Sequence, residues 1–336
     1  MRRLRVGVLG LGAFGESHLR AWRGLPNVDI AAVASRTPAR AEAIAAQYGV
    51  PRWYGSHTEL IADPGIDAIS VTTAEHEHLT PVIAALEAGK HVLVEKPIAT
   101  TLDDAAAMLA AASRSQGILM PGHVLRFAPA YAGLKEAVTS GRLGPLVAMS
   151  ARRNRPVSLI QTHGRVHPAL ITAIHDIDIM LWLAGCDVTS VRAIDRIADR
   201  DDGAHGLWGL MQFDNGTVAT IETSWLIPDS AGVGTDDAFR VTGLAGGAEV
   251  QFDVPALRVW EPEGPRVPDV SYEPVVRGEA VGALRDELAH FAACALAGTP
   301  SPVVGPADGA RALAVVLALI ESAASGRDVT PSPIRD

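Results

Sequence analysis

The chain is short of cysteine, of long apolar runs and of positive charge, and each shortage excludes a class of protein. Cys186 and Cys294 are the only cysteines among 336 residues. A disulfide framework and a cysteine metal cluster are therefore excluded, and a reducing, cytoplasmic setting is expected. No stretch approaches the length needed to span a bilayer. The basic start Met1-Arg2-Arg3-Leu4-Arg5 runs directly into a short strand with no cleavage site, unlike a secretory leader. Against 38 acidic residues stand 29 basic ones, for a formal charge of −9 and without any long basic run. That balance argues against nucleic acid or an anionic membrane as the partner.

What remains is ordinary globular material, 48% hydrophobic and 20% charged, in a chain long enough for two domains. Up to about Gly122, apolar strands (Val6 to Leu9, Ile30 to Ala34, Ala68 to Thr72, Val92 to Val94, Ile118 to Met120) alternate with helical patterns near 13–23, 38–48, 77–88 and 102–115, with a short piece near 57–62. This alternation predicts βαβ units, a doubly wound parallel sheet with right-handed crossovers, over residues 1–122. Beyond it the rhythm changes. Helices are expected near 129–140, 168–184, 281–297 and 306–325. Strands are expected at 146–153, 188–194, 206–213, 217–225, 238–242, 248–251 and 256–260, with Asp214-Asn215-Gly216 as a hairpin turn. Residues 123–336 thus read as an α+β domain with a large, mainly antiparallel open sheet. The Pro-rich stretch 262–274 reads as an irregular surface loop.

Two loops carry the chemistry. Gly10-Leu11-Gly12-Ala13-Phe14-Gly15 follows an apolar strand and opens a helix, which is the context a dinucleotide-binding turn requires. Gly10 permits the tight turn, Gly12 lets a pyrophosphate approach backbone N–H groups, and Gly15 permits close helix-to-strand contact. The second strand ends in Ser35-Arg36-Thr37, where an NAD site places an acid for the ribose hydroxyls. Small hydroxyls beside a guanidinium welcome a 2′-phosphate, so NADP is the first choice. Arg36 stacked on the adenine is the alternative, and it suits NAD equally. Thr72, Thr73 and His78 belong to the next strand end and helix start, beside the same cofactor. His76 and His78 lack a third ligand at metal spacing, so no metal is expected.

The second loop is Glu95-Lys96-Pro97 at the end of the strand near 92–94. Hydride transfer from an alcohol also moves the hydroxyl proton, so a base or acid must stand near the carbinol. A lysine beside a cationic nicotinamide has its protonated form disfavoured, which suits that work. Lys96 is held extended before proline, and Glu95 is expected to anchor the turn. An ordinary surface ion pair is the plainer alternative. His175, in His175-Asp176-Ile177-Asp178 within an otherwise apolar helix, needs partners, since buried polar groups are costly without them. Asp178 shares its face, and a satisfied core histidine is the alternative.

The whole pattern resembles the Gfo/Idh/MocA oxidoreductases, the glucose-fructose oxidoreductase and inositol dehydrogenase superfamily. The resemblance rests on the glycine turn, on Ala88-Gly89-Lys90-His91-Val92-Leu93-Val94-Glu95-Lys96-Pro97, on Arg126-Phe127, on Gly141-Arg142-Leu143-Gly144, on His175-x-x-Asp178 with Trp182 and Gly185, and on Ser322-Ala323-Ala324-Ser325-Gly326. It implies a sugar, cyclitol or related polyol as substrate, a homodimer or homotetramer, Lys96 and His175 at the reacting carbon, and a Lys-Pro bond that is often cis. Two positions depart from the pattern. Ile171 stands where many relatives carry an aspartate one turn before the histidine, and Ala74 where they carry proline. The substrate contacts expected beside Lys96 and His175 are His123, Arg126, Arg153, Asn154, His167 and Thr172, with solvated surface charge as the equal alternative for the cluster Arg153-Asn154-Arg155. Two other functions share these residues: a ligand sensor or corepressor without turnover, and redox-neutral keto-sugar chemistry with a retained cofactor.

Overall fold

The structure, a computed structural model, describes residues 2–197, 204–231, 234–251, 257, 259–261, 264–266 and 269–333. Two compact units are present. The first takes the chain to Phe127 together with Ser271–Ala310, and the second takes Ala128–Val270 and Arg311–Pro333.

In the first unit six strands, β1 (Leu4–Leu9), β2 (Val28–Ala34), β3 (Trp53–Tyr54), β4 (Ala68–Val71), β5 (His91–Glu95) and β6 (Leu119–Gly122), form a parallel sheet in the order β3-β2-β1-β4-β5-β6. The connecting helices are α1 (Ala13–Arg23), α2 (Pro38–Tyr48), α3 (His57–Ala62), α4 (Leu79–Glu87) and α5 (Leu102–Arg114). Strand β4 is buried along its whole length, as expected where helices cover both faces of a parallel sheet. Local chemistry sets the helix limits. Pro38 opens α2 and Gly49, at φ 68°, stops it. The Thr101 side chain accepts from the Asp104 N–H at the start of α5, where Asp103 and Asp104 also face the positive end of the helix dipole. The strand order reverses between β1 and β4, and the carboxyl ends of the strands on either side of such a switch flank a ligand crevice.

The boundary expected at 122/123 differs from these units. The unit continues to Phe127, and Ser271–Ala310 returns to it. In helix Ala283–Ala297, the buried Leu284, Leu288 and Phe291 join the core around Trp22, whose ring lies 6.2 Å from that of Phe291. Burial of apolar surface drives this return, and no local periodicity announces it.

The second unit contains β7 (Leu146–Pro156), β8 (Val188–Ile197), β9 (Ala204–Phe213), β10 (Val218–Ile227), β11 (Asp236–Gly243) and β12 (Gly247–Gln251), in the order β12-β11-β7-β10-β9-β8. Neighbours are antiparallel except β7 and β10, which run parallel. The helix expected over 168–184 is broken. Ala169–Ala173 is a π-helical turn and Ile174–Ala184 is α-helical, ending at Gly185 with φ 67°. The Thr172 hydroxyl donates to the Pro168 carbonyl at 2.7 Å, a competing bond of the kind that widens a helical turn. The stretch 262–274 is corrected in part, because Gly264–Arg266 pairs with Val259–Glu261. Residues 262, 263, 267 and 268 of that stretch, and 256 and 258 of the expected strand 256–260, lie outside the described residues.

Candidate functional site

The turn after β1 holds three glycines with different physical reasons. Gly10 has φ +97°, and a Cβ there would stand 2.6 Å from the Thr72 backbone. A Cβ on Gly15 would lie 2.0 Å from the Gly10 carbonyl oxygen. The fold itself demands these two. Gly12 has φ −74° and ψ −173°, a backbone any residue adopts, and its Cβ would meet nothing within 4 Å. Nothing in the protein requires glycine there, and the space in front of it is a cradle that a side chain would fill. Thr72 Oγ1 donates to the Gly10 carbonyl at 2.7 Å, which ties the ends of β1 and β4 together. The Thr73 hydroxyl is buried without a hydrogen-bond partner among the described residues, and such an orphan asks for a ligand.

A cavity of about 610 Å³ opens at these strand ends. Among the expected cofactor residues, Gly10, Gly12, Ser35, Arg36, Thr37, Thr72 and Thr73 line it, joined by Glu77 and Thr80. Its size suits a small-molecule ligand, and the open face of Gly12 with the orphan Thr73 hydroxyl fits the pyrophosphate side of a dinucleotide. Arg36 Nη1 lies 2.5 Å from Glu77 Oε1 at the cavity rim.

The remaining expected cofactor residues do not line this cavity. Ala13, Phe14 and Gly15 start α1, and the half-exposed Phe14 meets the His18 ring edge-on at 5.1 Å. His78 is buried, its ring nitrogens facing the carbonyls of Pro97 and Thr73 at 3.0 and 3.2 Å, and burial pushes its pKa down. Glu95 is buried and fixes the turn, as its place in the sequence suggested. Its Oε2 accepts from the Lys96 N–H at 3.2 Å, and its Oε1 lies 3.1 Å from His18 Nε2. His18 Nδ1 in turn lies 2.7 Å from Ser70 Oγ. This chain from α1 and β4 to the Lys96 backbone was missed by sequence reasoning. Its one signal was a lone histidine on the inward face of α1, where a polar group needs partners. Gly122 makes room for it, since a Cβ there would stand 2.7 Å from Glu95 Oε1.

Lys96 is half-buried and its peptide to Pro97 is cis. Leu9 pairs with Val71, and Val71 with Val94. Gly10, Thr72 and Lys96 therefore leave the sheet at the same carboxyl edge.

Other expected substrate residues are engaged elsewhere. In the first unit Arg126 is buried and donates to the Val303 carbonyl at 2.7 Å, with Asp308 Oδ2 at 3.4 Å. It ties the returning segment to the end of the parallel sheet. His123 is buried at the end of β6. In the second unit Arg153, 2% exposed, donates to both oxygens of Asp176 (2.6 and 2.9 Å) and to Asp237 Oδ2 (2.9 Å). Arg155 also contacts Asp237, so two cations and two carboxylates balance. Burial pushes the Asp176 pKa up against the pull of Arg153. Burial acts the same way on Asp237, yet Arg153 and Arg155 hold that carboxyl below its usual range. Asn154 donates to Glu222 and Asp236 and accepts from Ser224. Arg153 and Asn154, expected at the substrate, thus make these contacts to side chains of the second unit.

Thr172 is buried against Thr223, with the two hydroxyls 2.6 Å apart. His167 Nδ1 accepts from the Ala169 N–H, which leaves the proton on Nε2, 3.1 Å from Asp195. His175 is half-buried and Asp178 buried. Ile171 lies in the π-turn that precedes His175, where the four-residue step between them falls short of the full helical turn expected. Among the described residues no group of three or more His, Cys, Asp or Glu could hold a metal, and no helix is long and apolar enough to cross a membrane.

Comparison with known proteins agrees with this architecture. Residues 4–123 match an oxidoreductase family with an NAD-binding Rossmann fold, and residues 131–249 match the GFO/IDH/MocA C-terminal domain. Inositol 2-dehydrogenase of Acidothermus cellulolyticus is 35% identical over 197 residues, a match spanning 57% of this chain and 57% of that protein. Inositol 2-dehydrogenase 2 of Saccharopolyspora erythraea is 30% identical over 346 residues, covering 98% of this chain and 97% of its own. The structure of scyllo-inositol dehydrogenase from Lactobacillus casei, with bound NAD(H) and scyllo-inositol, superposes with a TM-score of 0.85 at 21% identity over 99% of this chain and 100% of that one, a likeness of fold. The chain belongs to the GFO/IDH/MocA family of oxidoreductases, with its NAD-binding Rossmann domain at the amino-terminal end.

Proposed function

We propose that the protein is a cytoplasmic NAD(P)-dependent dehydrogenase that transfers hydride between a ring carbinol of a cyclitol, sugar or related polyol and nicotinamide. The observation that carries this reading is the open cradle at Gly12, in a cavity on the same sheet edge from which Lys96 emerges. The inositol dehydrogenases among its relatives favour a cyclitol as substrate. Gly12 and Thr73 hold the pyrophosphate side of the dinucleotide. Ser35, Arg36 and Thr37 favour NADP, with NAD also accepted. When bound, the nicotinamide supplies the hydride acceptor. Lys96 takes the hydroxyl proton, its backbone fixed by Glu95 and, through Glu95, by His18. His175 orients the carbinol. The exposed Ile194, Trp208 and Leu210 on one face of the second sheet support assembly into a homodimer or homotetramer, because a contiguous apolar patch favours association.

The test is a panel of inositols and sugars with both dinucleotides, followed by absorbance of the reduced nicotinamide. Turnover of one stereochemical class is expected. Lys96→Met and His175→Ala should each lower kcat by roughly 100-fold or more. If no polyol is turned over, the dehydrogenase reading is wrong; if both variants keep wild-type kcat, the residue assignment is.

A further inference from the structure

We propose that Glu77 sets the dinucleotide selectivity of this protein by clasping Arg36 across the mouth of the cavity. This inference rests on the dinucleotide reading of that cavity and deepens it. The end of β2 lacks the acid that would accept from the ribose hydroxyls, since Ser35-Arg36-Thr37 stands there. The structure brings a carboxylate to the same corner from a different loop, the turn Glu75–Glu77 that follows β4. Among the lining residues, Glu77 is the only carboxylate and Arg36 the only guanidinium. They meet at 2.5 Å, with the Arg36 side chain 82% exposed and that of Glu77 26% exposed. His76 Nε2 lies 3.8 Å from the same Glu77 oxygen, so the clasp is edged by one further titratable group.

The consequence for selectivity is electrostatic. A 2′-phosphate carries close to two negative charges at neutral pH, and in the closed clasp the Arg36 charge that would receive it is already compensated. To engage a 2′-phosphorylated ligand, Arg36 must leave Glu77, and the freed carboxylate then repels the phosphate from a few ångströms away. A 2′-hydroxyl meets neither penalty, and the carboxylate accepts from it. Arg36 attracts NADP and Glu77 restrains that attraction, which yields a protein that uses both dinucleotides with a modest preference. The exposure of Arg36 makes the restraint sensitive to salt.

The test uses ligands that lack nicotinamide, so it reads binding without turnover. The affinities of ADP-ribose and 2′-phospho-ADP-ribose are measured by calorimetry for the wild-type protein, Glu77→Gln, Arg36→Leu and the double variant. In Glu77→Gln the phosphorylated ligand should bind roughly tenfold more tightly, with ADP-ribose changed by less than about twofold. Arg36→Leu should weaken the phosphorylated ligand, and in its background the gain from removing Glu77 should shrink. Glu77→Lys repeats the test with the same sign and a larger effect. A ratio of the two affinities that stays within about twofold of wild type in Glu77→Gln and Glu77→Lys, or moves toward ADP-ribose, overturns the clasp while leaving the dinucleotide reading intact. Failure of both ligands to bind any of the proteins overturns the dinucleotide reading, and the clasp with it.

Discussion

The cavity of the first unit and the arginine network of the second treat their polar groups in opposite ways. In the first, the cavity wall is made of backbone, hydroxyls and glycine, and part of its hydrogen-bonding capacity is unused: the face of Gly12 is open and the Thr73 hydroxyl has no partner among the described residues. In the second, the buried charges are closed upon one another, with Arg153 and Arg155 set against Asp176 and Asp237. Unused capacity marks a place for a ligand, whereas satisfied capacity marks architecture. Arginines near one another in sequence do not separate the two cases, but their partners do.

The comparison breaks most visibly if Arg153 is removed. Arg153→Met would leave Asp176 and Asp237 buried with one cation between them, and breaking such a buried pair costs roughly 3–5 kcal/mol. Urea unfolding is expected to show that loss. A loss below about 1 kcal/mol, together with a raised KM for the polyol, would instead return Arg153 to the substrate.

A pair of glycine substitutions sharpens the other side. Gly15→Ala places a methyl 2.0 Å from the Gly10 carbonyl, and overpacking of this kind costs roughly 1–3 kcal/mol or more. Gly12→Ala meets nothing, and its extended backbone accepts alanine, so stability should hold or rise by roughly 0.4–1 kcal/mol through the unfolded chain. Its effect should appear in ADP-ribose affinity instead, lowered by about tenfold or more, equivalent to 1.4 kcal/mol or more. If Gly12→Ala binds ADP-ribose as wild type does, the cradle is not where the dinucleotide sits.

Most of the first unit was legible in the sequence because its determinants are local. Strand, glycine turn and helix follow one another within twenty residues, and Thr37-Pro38 and Gly49 bound α2 as turn chemistry dictates. Three features were not legible. The return of Ser271–Ala310 to the first unit depends on Leu284, Leu288 and Phe291 finding a core assembled more than 150 residues earlier. The π-turn before His175 depends on the Thr172 hydroxyl reaching both Pro168 and Thr223, the latter 51 positions away. The fates of Arg126, Arg153 and Asn154 were hidden for the same reason, since a charged residue is read as exposed until its partner is seen. Glu77 was passed over because nothing in its own neighbourhood shows that it faces Arg36.

The smallest effect concerns a carboxylate at the opposite edge of the first sheet. Asp67 accepts from the Arg5 side chain, from the Arg5 N–H and from Arg2, and these bonds, the Arg5 side chain foremost, hold its carboxyl far below the usual carboxylate range against the opposing effect of burial. A carboxyl depressed by folding stabilises the native state above its unfolded pKa of about 3.9, and that stabilisation is lost as pH falls through the lower folded value. Asp67→Asn should therefore cost about 1 kcal/mol at pH 7 and the same at pH 5. Below about pH 4 the difference should narrow, as the wild-type protein loses its charged acceptor too. Urea unfolding at pH 7, 5, 3 and 2 measures this course. A difference that stays constant down to pH 2 would mean that Asp67 serves only as a neutral hydrogen-bond acceptor.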